Sequence, residues 1–320
     1  MEKFARFTDS SIGVNPFTLP PPQSGRSFFG YLLFGLRSPF LLPLFIVFIT
    51  LDYLISVFPS ILAFPLRKFL LSPLSRVILV ILGFHTIHET HLPRTQQGVN
   101  VVKQTKNGRQ TIITNMCGFI DVLIWTSLVA PQFTFIDDDG YIFGQTIFET
   151  ILYIARLGTP SKVSNSEKTS NKKTDQTWLQ RETLRGSFAP PLLIQPEGAP
   201  TNNKSILEFH PHAIKSLASV YENVQVKCAV LKYPAANTSA SPCFVSGDSL
   251  TNLLAIAMQF SNSVQVLWVN KEDLQELGTG GEVIWGASIR ESLCKALKVK
   301  AVKGLNRNTH TEFVIASSKR

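Results

Sequence analysis

Residues 111–136 read TIITNMCGFIDVLIWTSLVAPQFTFI. The β-branched stretch Thr111 to Thr114 has the composition of a strand, Asp121 to Ala130 that of a buried helix, and Phe133 to Ile136 that of a second strand. Strand, helix and strand in such quick succession form the unit of an α/β fold. The alternation continues downstream. Gly144 to Leu157 has helical spacing and is stopped by Gly158-Thr159-Pro160, Leu192 to Gln195 and Val226 to Lys232 suit buried strands, and Leu250 to Phe260 precedes a strand from Val264 to Val269. A further helix is expected from Val283 to Leu297, with basic, polar residues from there to Arg320. Upstream, Phe84 to His91 is β-like. Lys106-Asn107-Gly108-Arg109, lying between Val99 to Val102 and Thr111 to Thr114, predicts a hairpin with an Asn-Gly turn that enters the sheet. The expected fold is α/β, a mixed sheet flanked by helices, and the chain shows no internal repeat.

Before this domain runs FFGYLLFGLRSPFLLPLFIVFITLDYLISVFPSILAFPLRKF, from Phe28 to Phe69. It exceeds the roughly 20 apolar residues that a membrane-crossing helix needs. Asp52 within the run, Pro43, Pro59 and Pro65 along it, and Arg26, Arg37, Arg67 and Lys68 in and around it argue against a plain single span. A hairpin or an in-plane helix keeps both basic flanks on one side, provided that Asp52 is shielded by protein, water or the interface. A single transmembrane helix is the alternative, and an apolar helix pair buried in a soluble core is the third reading.

Composition points the same way, since 44% of residues are hydrophobic and the excess is gathered between Phe28 and Phe84. A net charge of +9 would serve nucleic acid, anionic lipid or an acidic substrate. With no RNP-like motif, zinc-finger spacing or basic helix, the apolar run selects lipid and no nucleic-acid partner is expected. Cys117, Cys228, Cys243 and Cys294 form no Cys-x-x-Cys pair, which suits neither a disulfide framework nor zinc and fits a cytosol-facing location. The first residues, with Glu2, Lys3, Arg6, Asp9 and the run Pro20-Pro21-Pro22, lack the apolar core of a secretory signal. The division expected is a polar segment at 1–25, an apolar anchor at 26–76, the α/β domain at 77–305 with a mobile polar loop at 161–177, and a basic tail at 306–320.

Three ordered blocks carry a family resemblance: TNMCGFIDVLIW at 114–125, LIQPEGAPTNNKSILEF at 193–209 and VKCAVLKYP at 226–234. They resemble the first, third and fourth conserved blocks of the glycerophospholipid acyltransferases, which acylate glycerol phosphate and lysophospholipids. The third and fourth are similar to those of the lysophosphatidylcholine acyltransferase branch. The opening MEKF, Pro16-Phe17, the apolar anchor and the overall length further resemble the lysophosphatidic acid:oleoyl-CoA branch. The resemblance implies an acyltransferase fold, acyl-CoA as co-substrate, no bound cofactor, no metal, and lysophosphatidic acid or a related lysophospholipid as acceptor. Membrane lipid is then the partner surface, and a cytosol-facing hairpin suits the endoplasmic reticulum membrane and the lipid-droplet monolayer alike.

Acyl transfer from a thioester to a glycerol hydroxyl needs a base, an Asp that orients it and donors for the oxyanion. The family's device is His-x-x-x-x-Asp. Here Asp121 is in place, but the His position holds Met116, which accepts no proton in any useful pH range. Cys117 beside it is a speculative substitute, which needs a lowered pKa. Asp121 can itself accept the proton only if burial raises its pKa, and capping the helix that begins there is the plain alternative. By resemblance, Glu197, Gly198, Thr201 and Lys204 shape the acceptor's phosphate pocket, and Lys162 takes the place where the second block ends in Arg. The spacing of His85, His88 and His91 invites a metal only if that segment is helical; in a strand His88 faces away. His210-Pro211-His212 and Asp137-Asp138-Asp139-Gly140 read as solvated loops. Loss of the base leaves a second function open, a non-catalytic scaffold or lipid-binding protein on the same fold; a basic soluble binding protein is a third.

Overall fold

The computed structural model describes residues 2–19, 28–58, 60–93, 108–160, 177–186, 189–234, 241–270 and 281–318, with Leu274 and Leu277. The strands are β1 (Ile87–His91), β2 (Arg109–Ile113), β3 (Gln132–Ile136), β4 (Ile142–Gln145), β5 (Leu192–Ile194), β6 (Ser205–Ile206), β7 (Val224–Lys232), β8 (Val264–Trp268) and β9 (Lys300–Ala301). Seven of them form one sheet in the order β1-β8-β7-β2-β5-β3-β4, and β6 pairs with β9 apart from it. Strands β7, β2, β5 and β3 run parallel at the centre, while β8 and β4 are antiparallel to their inner neighbours.

Alternation along the central strands divides the core into two layers. Ile112, Leu193, Ala229 and Leu231 join a cluster with α3 (Ser72–Ile81), α4 (Ile120–Val129) and α5 (Ile147–Leu157). Ile113, Leu192, Ile194 and Val230 join the opposite cluster, with the helices α7 (Pro211–Ser219) and α9 (Gly281–Leu297). Strands buried on both faces read as apolar runs, which is why this part of the sheet was visible in the sequence.

The expected hairpin does not form in the described part. Both edges of 111–113 are taken by parallel partners, β5 and β7, so β2 has no room for an antiparallel neighbour there. Residues 99–102 lie outside the described residues, as do 161–176 of the expected polar loop; Thr177 opens α6 (Thr177–Thr183). The helix expected from Gly144 begins three residues later, because Thr146 and Glu149 form a capping box and Gly144 and Gln145 belong to β4.

The apolar run folds as α1 (Phe28–Ser56), α2 (Ser60–Leu66), a π-turn (Arg67–Leu71) and α3, which returns along α1. Leu41, Phe48, Ile55, Ala63, Leu71 and Ile78 bind this helical hairpin to the α/β core. Arg37, Asp52 and Arg67 face the protein. Arg37 donates to the carbonyl oxygens of Ala257 (2.8 Å) and Gln259 (2.6 Å), at the C-terminal end of α8 (Ser249–Ala257). The Asp52 carboxylate accepts from the backbone amides of Ile147 (2.9 Å) and Phe148 (3.3 Å) at the start of α5 and lies 3.8 Å from the Arg67 guanidinium. Gly30 packs on Met258 so closely that a Cβ there would meet it at 3.4 Å. Contacts at residues 30 and 52 are about 33 Å apart along the helix, so α1 lies along the domain. Its other face leaves Leu36, Phe40, Leu42, Tyr53 and, beyond it, Val57 exposed, with Phe69 exposed on the returning arm.

The chain's outer segments meet behind the sheet. A 3-10 turn (Glu2–Phe7), Phe17 and the helix α10 (Arg307–Ser318) form a third cluster, with Phe7 and Phe313 in edge contact at 5.4 Å. The Asn202 amide donates to the carbonyl oxygens of Asn15 (2.9 Å) and Thr18 (2.8 Å), which ties this cluster to the third block.

Removing the Asp52 carboxylate leaves Arg67 buried without its ion pair and two helix amides without an acceptor. Asp52→Ala is expected to cost about 3 kcal/mol of stability, and Asp52→Asn less, because its amide oxygen still accepts. Denaturant titration in detergent micelles measures this; an unchanged midpoint for Asp52→Ala would mean that the carboxylate does not hold α5.

Candidate active site

Strands β2, β5 and β7 end side by side; the first and third blocks lead out of the C-terminal ends of β2 and β5, and the fourth is most of β7 with Tyr233 and Pro234 just beyond it. This is the edge where open α/β sheets carry ligands. Asn115 closes the first gap: its side chain accepts from the Leu231 amide (2.8 Å) and donates to the Leu231 carbonyl (3.0 Å), continuing the β2–β7 pairing by a side chain.

Met116 follows and is 2% exposed. Its amide donates to Glu197 Oε1 at 3.3 Å, and its carbonyl accepts from the Thr201 amide at 2.9 Å. The next two amides turn to another carboxylate, Cys117 and Gly118 donating to Asp121 Oδ2 at 2.7 and 3.1 Å. Asp121 Oδ1 accepts from the Tyr233 hydroxyl at 2.5 Å. The second Glu197 oxygen accepts from the Leu207 amide at 3.1 Å. Asn203 donates to both Cys117 Sγ (2.8 Å) and the Leu231 carbonyl (2.7 Å), and the Phe244 amide donates to the Cys117 carbonyl (2.8 Å). Gly118 is required here, since a Cβ would stand 2.9 Å from the Phe244 nitrogen.

The structure therefore brings Met116, Cys117, Asp121, Glu197 and Thr201 into one hydrogen-bonded cluster. Gly198 adjoins it at φ +64°, where a Cβ would lie 3.2 Å from Arg307 Cδ. Lys204 has an exposed side chain, and its amide donates to Asn202 Oδ1 at 3.1 Å. Lys162 lies outside the described residues. The candidate histidines do not converge: His85 packs near Phe260, His88 bonds Thr86, His91 stacks on Trp268, and His210 stacks on His212. A cleft of about 720 Å³ opens at the other end of the sheet, beside His91, Lys227 and Trp268; Met116, Cys117, Asp121, Glu197 and Thr201 are buried.

Burial sets the electrostatics. It raises the Asp121 carboxyl to about 6 against the pull of the Tyr233 hydroxyl and the two loop amides. It raises Glu197 to about 8 against the amides of Leu207 and Met116. It pushes the Cys117 thiol well above its ordinary range, which holds that side chain as a neutral thiol.

Sequence reasoning assigned no part to Tyr233, Asn115, Asn203 or Arg307. Tyr233 had a signal, the Tyr-Pro that closes the fourth block. Arg307 had none: it arrives from α10, where it pairs with Asp138 at 2.5 Å and donates to the Ile136 carbonyl.

Both carboxyls hold their protons more tightly in the folded chain than at their ordinary values of 3.8 and 4.5. Their contribution to stability is complete below the ordinary carboxylate range and is lost as pH rises through about 6 for Asp121 and about 8 for Glu197. The unfolding free energy is expected to fall between about pH 4 and about pH 8, and Glu197→Gln to flatten the upper part of that fall. Denaturant titrations across this range check it.

No family model matches the chain. Lysophosphatidylcholine acyltransferase 1 of Rattus norvegicus and that of Mus musculus are each 26% identical over 146 residues, 46% of this chain and 26% of theirs. The chain thus spans about a quarter of the length of these curated relatives. A putative lysophosphatidic acid:oleoyl-CoA acyltransferase of Schizosaccharomyces pombe (strain 972 / ATCC 24843) is 26% identical over 322 residues, covering 94% of this chain and 100% of that one. Among solved structures, the 1-acyl-sn-glycerophosphate (LPA) acyltransferase PlsC from Thermotoga maritima shares 12% identity at a TM-score of 0.46, over 86% of this chain and 98% of that chain. The chain is thus similar, over the length of the fission-yeast protein, to proteins named as lysophospholipid acyltransferases.

Proposed function

We propose that the chain is an acyl-CoA-dependent acyltransferase that acylates lysophosphatidic acid or a related lysophospholipid, with Met116 in the position of the family histidine. One observation carries this reading: Glu197 and Asp121, from separate blocks, hold the consecutive amides of Met116 and Cys117. The acceptor hydroxyl attacks the thioester carbonyl at this edge, and acyl-CoA is a co-substrate, with no bound cofactor. Asp121 orients the reacting loop and is the local sink for the hydroxyl proton. Glu197 and Thr201 shape the loop by fixing both polar groups of the Met116 backbone. Gly198, Lys204 and Lys162 are left to meet the acceptor's phosphate, the glycine by close backbone approach and the lysines by charge.

A non-catalytic scaffold or lipid-binding protein is the second reading. It is favoured by the buried Met116 thioether, which stands where an imidazole is needed. General base catalysis contributes about 10² to 10⁴ in rate, so turnover without an imidazole has that much to recover. Purified protein given lysophosphatidate and oleoyl-CoA is expected to form phosphatidate, with at least about 100-fold less from Asp121→Asn or Glu197→Ala. Equal rates in all three proteins would overturn the site assignment, and no turnover in any would favour the scaffold.

The long apolar helix supports membrane association, and we place α1 and its returning arm in the plane of a cytosol-facing interface, on endoplasmic reticulum or lipid droplet. Support comes from the domain contacts at Gly30, Arg37 and Asp52 along α1 and from its exposed face. Each large apolar side chain buried in lipid contributes about 1.5–3 kcal/mol, a quantity that salt does not screen. Membranes carrying the protein are expected to retain it through a high-salt wash and to release it to detergent. Release by salt alone would point to a basic peripheral protein.

A further inference from the structure

Asp121 has no imidazole beside it, yet one of its oxygens does receive a proton donor. Oδ2 is spent on the immobile amides of Cys117 and Gly118, while Oδ1 takes the hydroxyl of Tyr233 at 2.5 Å. Tyr233 is the first residue past β7, at the edge where the three blocks meet, and its own amide is held by Asn203 Oδ1 at 3.4 Å. At 7% exposure it is less enclosed than Asp121 at 1%. With Oδ2 taken by backbone, the phenol is the protic side chain that faces the remaining carboxylate oxygen.

We propose that Tyr233 and Asp121 together take the part of the missing imidazole, Tyr233 touching the acceptor hydroxyl and passing its own proton to Asp121; this rests on the acyltransferase reading above. As the acceptor oxygen bonds to the thioester carbonyl carbon, its proton moves to the Tyr233 oxygen and the phenolic proton to Asp121 Oδ1. When the carbon–sulfur bond breaks, the proton returns from Asp121 through Tyr233 to the departing sulfur. The products are the ester and free CoA thiol, and nothing is oxidised or reduced. A phenol alone is too reluctant to ionise: burial and the facing carboxylate push Tyr233 well above 10. It works only as a relay. The final acceptor, Asp121 at about 6, is close in strength to an ordinary imidazole at about 6.5. Other titratable groups around the pair are the thiols of Cys117 and Cys243, from the first-block loop and from the loop before α8, and the Glu197 carboxyl of the third block. The Arg290 guanidinium on α9 acts on Glu197.

The full chain, the single variants Tyr233→Phe and Asp121→Asn and their double variant are assayed in detergent micelles with lysophosphatidate and oleoyl-CoA. Tyr233→Phe is expected to lower kcat at least about 100-fold with KM for lysophosphatidate little changed. The double variant is expected to be no slower than the poorer single, because the two residues act as a unit. The wild-type rise of kcat/KM near pH 6 should vanish in Tyr233→Phe and persist in Glu197→Gln. If Tyr233→Phe does not fold, a fluorinated tyrosine at 233 keeps the shape and the hydrogen bond, and should shift the pH profile without moving Tm. A folded Tyr233→Phe with wild-type kcat, losses that multiply in the double variant, or an unshifted profile with the fluorinated residue would each overturn the relay and leave an acyltransferase. Absence of wild-type turnover would overturn both.

Discussion

Two buried carboxylates hold consecutive amides of one tight loop: Glu197 takes Met116, and Asp121 takes Cys117 and Gly118. A buried carboxyl is costly unless its oxygens are satisfied, and leaving one without its hydrogen bond costs about 1–3 kcal/mol. Neither block is stable in its place without the other. The third block cannot keep Glu197 inside unless Met116 offers its amide, and the first cannot turn at Gly118 unless Asp121 receives it. The remaining contacts, through Asn115, Asn203 and Phe244, fasten this bracket to the ends of β2 and β7. Met116 is compatible with all of them because the bracket uses its backbone and makes no demand on its side chain.

The α/β alternation was legible because central parallel strands bury both faces and appear as short apolar runs. In the described half of the expected Asn-Gly hairpin, two long-range partners pair with β2 in parallel, which a local turn preference does not announce. Residues 307–318 look like a polar tail because much of what α10 buries is polar, Arg307 and His310 among it, so its core-facing side does not register as apolar. At the site, Asp121 and Glu197 stood out through their blocks. Their carboxylates turned out to bind backbone, which no side-chain motif announces. Tyr233 is 112 residues from Asp121, and only the adjacency of β2 and β7 brings the two together.

The apolar segment shows how charged residues inside such a run are to be read. Arg37 and Asp52 looked like obstacles to membrane insertion. In the fold each serves a helix terminus, Arg37 the carbonyl end of α8 and Asp52 the amide end of α5, so these charges face protein dipoles and the opposite surface is left mostly apolar.

Pro39 and Pro43, both inside α1 and both between Arg37 and Asp52, give this arrangement a mechanical meaning. Proline removes a backbone hydrogen bond and makes that stretch the easiest part of the helix to bend. The far end of α5 is Gly158, seated against the Phe244 ring, and the Phe244 amide holds the Cys117 carbonyl. Asp52 of α1, the start of α5, Gly158 at its end, the Phe244 ring and the Cys117 carbonyl thus form one unbroken line of contacts to the loop that carries Met116. A bend at the two prolines would be felt first at Asp52, the point where that line begins.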